Sequence, residues 1–188
     1  MSKSIWVVFG VIIVLALFVI SGYNGLVNMN ENVNGKWSQV ENQLQRRADL
    51  IPNLVNTVKG YAAHEEGIFK ELADARSKMA GARTVAESAQ ADQEMSSALS
   101  RLMVVVENYP NLKADANFRQ LQDELAGTEN RLAVARKDYN DAVQEYNAKI
   151  KRIPTNIYAG MLGFGPRDYF QAEEAAKTAP SVDFSKKP

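Results

Sequence analysis

His64 is the one histidine of the chain, and it stands directly before Glu65 and Glu66. His-Glu-Glu resembles the opening of a zinc-binding His-Glu-x-x-His helix, but Ile68 occupies the place of the second ligand. A single imidazole beside two carboxylates falls short of the ligand count that zinc requires. His64 therefore reads as a hydrogen-bonding group at a helix end. The chain has no cysteine, which removes disulfides, thiolate metal sites and a cysteine nucleophile. No Gly-x-Ser-x-Gly elbow occurs, and a Ser-His-acid triad would have to be built on His64 alone. Gly163-Phe164-Gly165-Pro166 lacks the later glycines, the lysine and the preceding strand of a phosphate-binding loop. The expectation is a protein that is not an enzyme, with no catalytic residue, no bound metal and no cofactor.

The remaining polar chemistry lies in two charged stretches. Arg46, Arg47 and Asp49 precede Pro52, and Arg131, Arg136, Asp138 and Asn140 lie on a later helical segment. Two readings stay open for the candidate cluster of Arg46, Arg47, Asp49, Arg131, Arg136 and Asn140. One is surface charge with an inter-helix salt bridge, an interaction that is common and weak. The other is a polar cluster that fixes helix register or binds an anionic group. With 22 basic and 22 acidic side chains the formal charge is zero, so charge gives no reason to expect nucleic acid as a partner.

These residues must be positioned by helices. Ala, Gln, Glu, Asn, Lys and Arg are plentiful between residues 30 and 152 while Pro and Gly are sparse, the usage of long helices rather than sheets. Apolar positions step by three or four through Val33, Trp37, Val40, Leu44, Ala48, Ile51, Leu54, Val58 and Tyr61, one stripe of an amphipathic helix. Pro52 removes a backbone donor and crowds the preceding turn, so a kink is expected between Ala48 and Pro52. Gly60 and Gly67 bracket a chain reversal. A second helix carries Ile68, Phe69, Leu72, Ala75 and Met79, with Arg76 at its border. Thr84 with Glu87 forms a capping box for a third, which runs to about Asn108 and stops at Tyr109-Pro110. The most regular segment follows. Phe118, Leu121, Leu125, Thr128, Leu132, Ala135, Tyr139, Ala142 and Tyr146 alternate steps of three and four, a coiled-coil-like heptad seam suited to shallow antiparallel packing on the first rod. Tyr139 and Tyr146 on this seam are expected in the core. Past Pro154, Thr155 is placed to cap a short helix through Met161. Phe164, Tyr169, Phe170 and Phe184 are expected to fold back on the bundle.

The first rod begins in a different solvent. Residues 5–23 are almost wholly apolar, and no charge occurs between Lys3 and Glu31. At about 1.5 Å per residue this run nearly matches the roughly 30 Å apolar slab of a bilayer. Trp6 and Tyr23 stand at its ends as membrane-interface anchors, where amphipathic rings favour the lipid–water boundary. The run is long for a cleaved signal peptide, and no Ala-x-Ala site follows it. The reading is a single-pass transmembrane helix. The positive amino terminus and Lys3 favour the N-terminus inside, which puts the rest outside the cytoplasm. The fold class is thus all-α: a transmembrane helix, then an antiparallel helical bundle of long helices. The domain reading is a short flank at 1–4, the anchor at 5–23, the bundle at 24–170 and a tail at 171–188.

Several stretches together resemble a known family. They are Tyr23-Asn24-Gly25-Leu26-Val27 and the run Gln43-Leu44-Gln45-Arg46-Arg47-Ala48-Asp49-Leu50-Ile51-Pro52-Asn53-Leu54, then Val58-Lys59-Gly60-Tyr61-Ala62-Ala63-His64-Glu65. Asn130-Arg131-Leu132-Ala133-Val134-Ala135-Arg136-Lys137-Asp138-Tyr139-Asn140, Tyr146-Asn147, Gly163-Phe164 and Pro180-x-Val182-x-Phe184 complete them. Over nearly its whole length the chain is similar to the LemA family of bacterial proteins. The resemblance implies a membrane-anchored helical bundle and carries no reaction with it. The expected function is a non-enzymatic scaffold or interaction protein of the bacterial cell envelope, in the inner (plasma) membrane. The bilayer and further copies of the chain are its expected partners. The alternative is an accessory subunit of another membrane protein complex, such as an envelope quality-control protease. An enzyme or ligand sensor built on the arginine cluster is the third reading.

Overall fold

The structure, a computed structural model, describes residues 3–171, with side chains from residue 6. Met1, Ser2 and residues 172–188, Phe184 among them, lie outside the described residues. Among those described there is no strand, so the fold is all-α as the sequence pattern predicts. The helices are α1 (Lys3–Lys59), α2 (Glu66–Gly81), α3 (Val85–Val106), α4 (Pro110–Ala114), α5 (Ala116–Lys151) and α6 (Thr155–Tyr158), followed by a 3₁₀ turn at Gly160–Leu162.

The chain divides into two compact units. One comprises Met1–Arg46 with Ala126–Tyr169, the other Arg47–Leu125 with Phe170–Pro188. In the first unit Leu26, Val33, Val40 and Leu44 of α1 are buried, as are Thr128, Leu132, Ala135, Tyr139, Ala142, Val143 and Tyr146 of α5. Apart from Leu26 and Val143, these belong to the stripe and the heptad seam of the sequence. Lys36 pairs with Asp138 at 3.0 Å, and Trp37 stacks on Tyr139 with ring centroids 5.2 Å apart. Further back along α1, Gly22 meets Tyr158, so the two chain directions are opposed.

The second unit has a continuous core. It takes Ile51, Leu54 and Val58 from α1, Phe69 and Leu72 from α2, Met95 and Leu102 from α3, Leu112 from α4 and Phe118 from α5. Its helix ends follow elementary rules. Thr84 accepts from the Glu87 N–H at 3.1 Å, and Glu87 accepts in return from the backbone N–H groups of Arg83 and Thr84, closing the capping box. Those backbone donors, Arg83's first, hold the Glu87 carboxyl below its usual range. Asp115 precedes α5 and accepts from the Phe118 N–H at 2.9 Å and from the Tyr61 hydroxyl at 2.9 Å. The Phe118 bond is the chief reason its acidity is raised. The hydrogen bond to Asp115, chiefly, pushes the Tyr61 phenol up.

α1 continues through Pro52. Proline has no N–H, so the carbonyl four residues back, on Ala48, loses its helical donor. Arg76 of α2 supplies a replacement, its Nε–H donating to the Ala48 oxygen at 3.1 Å. The arginine that borders the α2 stripe thus repairs the gap that the proline opens.

Two sequence expectations are corrected at the far end. Thr155 does not cap α6: Pro154 holds the capping position without a side-chain bond, and Thr155 is buried inside the helix. The helix also stops at Tyr158 and tightens into 3₁₀ rather than running to Met161. Gly163, with φ 82°, takes the left-handed turn that ends it. Phe164 packs edge-on against Tyr23 at 5.6 Å and Phe170 is buried, whereas Tyr169 keeps 38% of its surface exposed.

Replacing Arg76 by Met is expected to cost about 1 kcal/mol, the scale of one lost hydrogen bond. The loss should shrink in a Pro52→Ala background, where Ala48 regains its own donor. Urea unfolding of the four variants of this double-mutant cycle gives the coupling. Asp115 is more acidic folded than unfolded, so its contribution is present above the ordinary aspartate range. It is lost as pH falls through the depressed folded value. Asp115→Asn should flatten the acid limb of a plot of Tm against pH.

Candidate functional site

The six residues of the sequence-derived cluster do different things. Arg47 is buried on α1 and donates through Nη1 to the Asp92 carboxylate of α3 at 2.6 Å, with both side chains 6% exposed. Arg46 and Asp49 point outward on the same helix. On α5, Arg131 donates to the Thr128 hydroxyl at 3.3 Å. Arg136 approaches Glu129 one heptad back at 3.8 Å, and Asn140 is half-buried. Arg47 and Asp92 belong to the second unit, and Arg131, Arg136 and Asn140 to the first.

The partner that sequence reasoning missed is Asp92. It lies 45 residues from Arg47 and sits on the buried face of α3, where an acidic residue gives no periodic signal. Taking two charges out of water is costly, and the close contact offsets that cost only while both partners are present.

A second polar construction, also missed, organises the first unit. Arg167 lies in the loop after the 3₁₀ turn. Its N–H donates to Asn147 Oδ1 and its carbonyl accepts from Asn147 Nδ2, both at 2.8 Å. Its guanidinium reaches across to α1, Nε to Asn30 at 3.1 Å and Nη2 to Asn34. The Tyr139 hydroxyl donates to the neighbouring Asp168 carbonyl at 2.7 Å. Burial pushes the phenols of Tyr139 and Tyr146 up, so both stay protonated as seam residues. One signal was readable: Asn30 and Asn34 are one helical turn apart, on one face of α1.

Two shallow grooves are open to solvent, each about 450 Å³. The groove of the first unit is lined from α1 and α5 by the amides Gln39, Asn42, Gln43 and Asn130 together with Arg131, Asp138, Val134 and Ala135. The groove of the second unit lies between α2 and α3 and carries Lys78–Glu94 and Arg101–Glu71 ion pairs, at 2.7 and 2.9 Å. Such surfaces offer hydrogen-bonding groups and paired charges. The membrane-interface residues of the sequence reading sit on α1: Trp6 is 66% exposed, and Tyr23 meets Phe164.

Arg47→Met alone removes the cation that faces the buried Asp92 carboxylate and is expected to destabilise by about 3–5 kcal/mol, whereas Arg47→Met with Asp92→Leu should recover most of that loss. Denaturant midpoints of the three proteins decide it. A double variant no more stable than the single one would show that the pair is not what holds these positions.

The match to the LemA family spans residues 36–184. The magnetosome protein MamQ 2 of Paramagnetospirillum magneticum is 33% identical over an alignment of 182 residues, covering 83% of this chain and 67% of the relative. The magnetosome protein MamQ of Magnetospirillum gryphiswaldense is 30% identical with the same coverage. Protein LemA of Metamycoplasma hominis is 24% identical over 152 residues, 80% of this chain and 69% of the relative. A helical chain with this seam, matched over most of its length and with relatives at this identity, belongs to the LemA family.

Proposed function

We propose that this protein is a membrane-anchored, non-enzymatic scaffold that associates with copies of itself. The observation that carries the reading is on α1. Thirteen large apolar side chains between Trp6 and Ile20 are exposed, each by 38% or more, on a helix long and apolar enough to cross a membrane. Nothing else in the described chain covers them, and lipid is the solvent that suits them. We place the anchor in the plasma membrane, with the helical domain on the extracytoplasmic side, on the basis of the charge at Lys3.

The charges the helices carry support a structural part. Arg47 and Asp92 hold two helices together, Arg167 ties a loop down, and Glu87 and Asp115 cap helices. The groove of the first unit, with amides beside Val134 and Ala135, suits a protein surface. The MamQ relatives are named as magnetosome proteins, a name that gives an assembly rather than a reaction. An anchor confines copies to one plane and raises their effective concentration, so weak lateral contacts suffice.

Cross-linking in native membranes, followed by purification in mild detergent, tests this. A ladder of homo-oligomers is the expected result, and a lone monomer would count against it. A second protein at fixed stoichiometry would favour the accessory-subunit reading instead.

A further inference from the structure

In the first unit a short segment stands beside the end of the apolar run with its greasy side chains uncovered. A Cβ added at Gly22 would overlap the Tyr158 hydroxyl, so the tip of the Tyr158 side chain of α6 rests on α1 at that level. One residue on, Tyr23 meets Phe164. Positions 22 and 23 are where the apolar run ends, so residues 158 and 164 share the level of the lipid–water boundary. This placement rests on the reading of residues 5–23 as membrane-spanning.

On the same segment, between or beside these two contacts in sequence, Ile153, Ile157 and Met161 are 80%, 68% and 86% exposed, far more than core-forming residues of this size. They lie within nine residues, Ile153 in the turn before α6, Ile157 inside α6 and Met161 in the 3₁₀ turn, so this short segment carries an interrupted apolar ridge. The last turn of α5 and the residue after it present Lys149, Lys151 and Arg152 to solvent just before the ridge. An apolar ridge bordered by cations is the pattern of a segment lying in the interfacial layer, with side chains in the acyl boundary and charges among anionic headgroups.

We infer that residues 153–162 form a second membrane contact, which dips Ile153, Ile157 and Met161 into the same bilayer that α1 crosses. The occupant is lipid rather than a second copy because the ridge sits at the depth fixed by Gly22 and Tyr23. There, any uncovered side chain faces the headgroup and acyl layer. Tyr158 and Phe164 join Tyr23 in an aromatic belt at that boundary.

The chain has no cysteine, so single reporters are simple to place. Full-length variants Ile157→Cys and Met161→Cys carry a nitroxide in nanodiscs of phosphatidylcholine and phosphatidylglycerol. Collision with lipid-soluble oxygen is compared with collision with an aqueous nickel chelate. Leu15→Cys serves as the lipid reference. Ala133→Cys, exposed on α5 and outside the lining of the first-unit groove, serves as the aqueous one. The expected oxygen-to-nickel ratio at 157 and 161 lies close to that of position 15 and several-fold above that of position 133. Aqueous signatures at 157 and 161 beside a lipid signature at 15 overturn this inference alone. Protection from both reagents also overturns it, in favour of a protein–protein contact. An aqueous signature at position 15 overturns the anchor reading and this inference with it.

Discussion

A single helix that must satisfy two solvents is the constraint on which the rest of this structure depends. α1 keeps its helical backbone from Lys3 to Lys59. Backbone amides inside lipid have no water to turn to, so only an unbroken helix serves there. Thirteen exposed apolar side chains between Trp6 and Ile20 would cost on the order of 20 kcal/mol or more in water, at roughly 1.5–3 kcal/mol each. That exceeds the roughly 5–15 kcal/mol by which a typical domain is stable. Past Tyr23 the demand changes. Only one stripe of the helix is apolar, marked by Leu26, Val33, Val40 and Leu44 in the first unit, and it is buried against protein. The pattern of side chains changes while the backbone does not.

Continuity of this kind has to be maintained at its weak points. Pro52 removes one donor inside α1, and the structure answers with Arg76 on the Ala48 carbonyl rather than with a helix end. Charged side chains recur as structural devices elsewhere. Arg47 and Asp92 form a buried pair between α1 and α3, and Arg167 ties its loop to Asn147, Asn30 and Asn34. In each case a long polar side chain satisfies groups that apolar packing would leave without partners. Because such bonds need particular geometry, they also fix register where a heptad seam alone would tolerate a slip of one repeat.

What could be read from the sequence follows from range. The seam from Phe118 to Tyr146, the capping box of Thr84 and Glu87 and the stop at Tyr109-Pro110 depend on residues a few positions apart, and all are present. The buried pair of Arg47 and Asp92 spans 45 residues, and the Arg167 to Asn30 bond spans 137. No local periodicity encodes either. Asp92 is especially opaque, because an acidic residue on the buried face of α3 looks like an error in the stripe until its partner is known. The misreading of Thr155 has a related origin. Threonine after a proline has the chemistry of a cap, but here burial of Thr155 and the turn at Pro154 outweigh that local preference. The candidate cluster was legible as a list of charged residues and not as a geometry, since charge on a helix gives no direction for its partner.

The contacts of the first unit bear on why residues 153–169 have the form they do. A segment that lies at a lipid boundary needs a fixed depth, because a few ångströms separate headgroup from acyl chain. This segment is held from both sides. Tyr158 rests on Gly22 and Phe164 on Tyr23, where the apolar run ends, while Arg167 grips Asn30 and Asn34 farther along α1. Asn147 closes the grip from α5 through two bonds to the Arg167 backbone. Three attachments to α1, spread over about three helical turns, leave the segment little freedom to rise or sink relative to the anchor. A glycine at position 22 is what permits the nearest of them, since any larger residue would push Tyr158 away. The polar grip and the missing side chain at Gly22 therefore serve one end: each sets the height of an apolar ridge that the packing of the unit itself leaves uncovered.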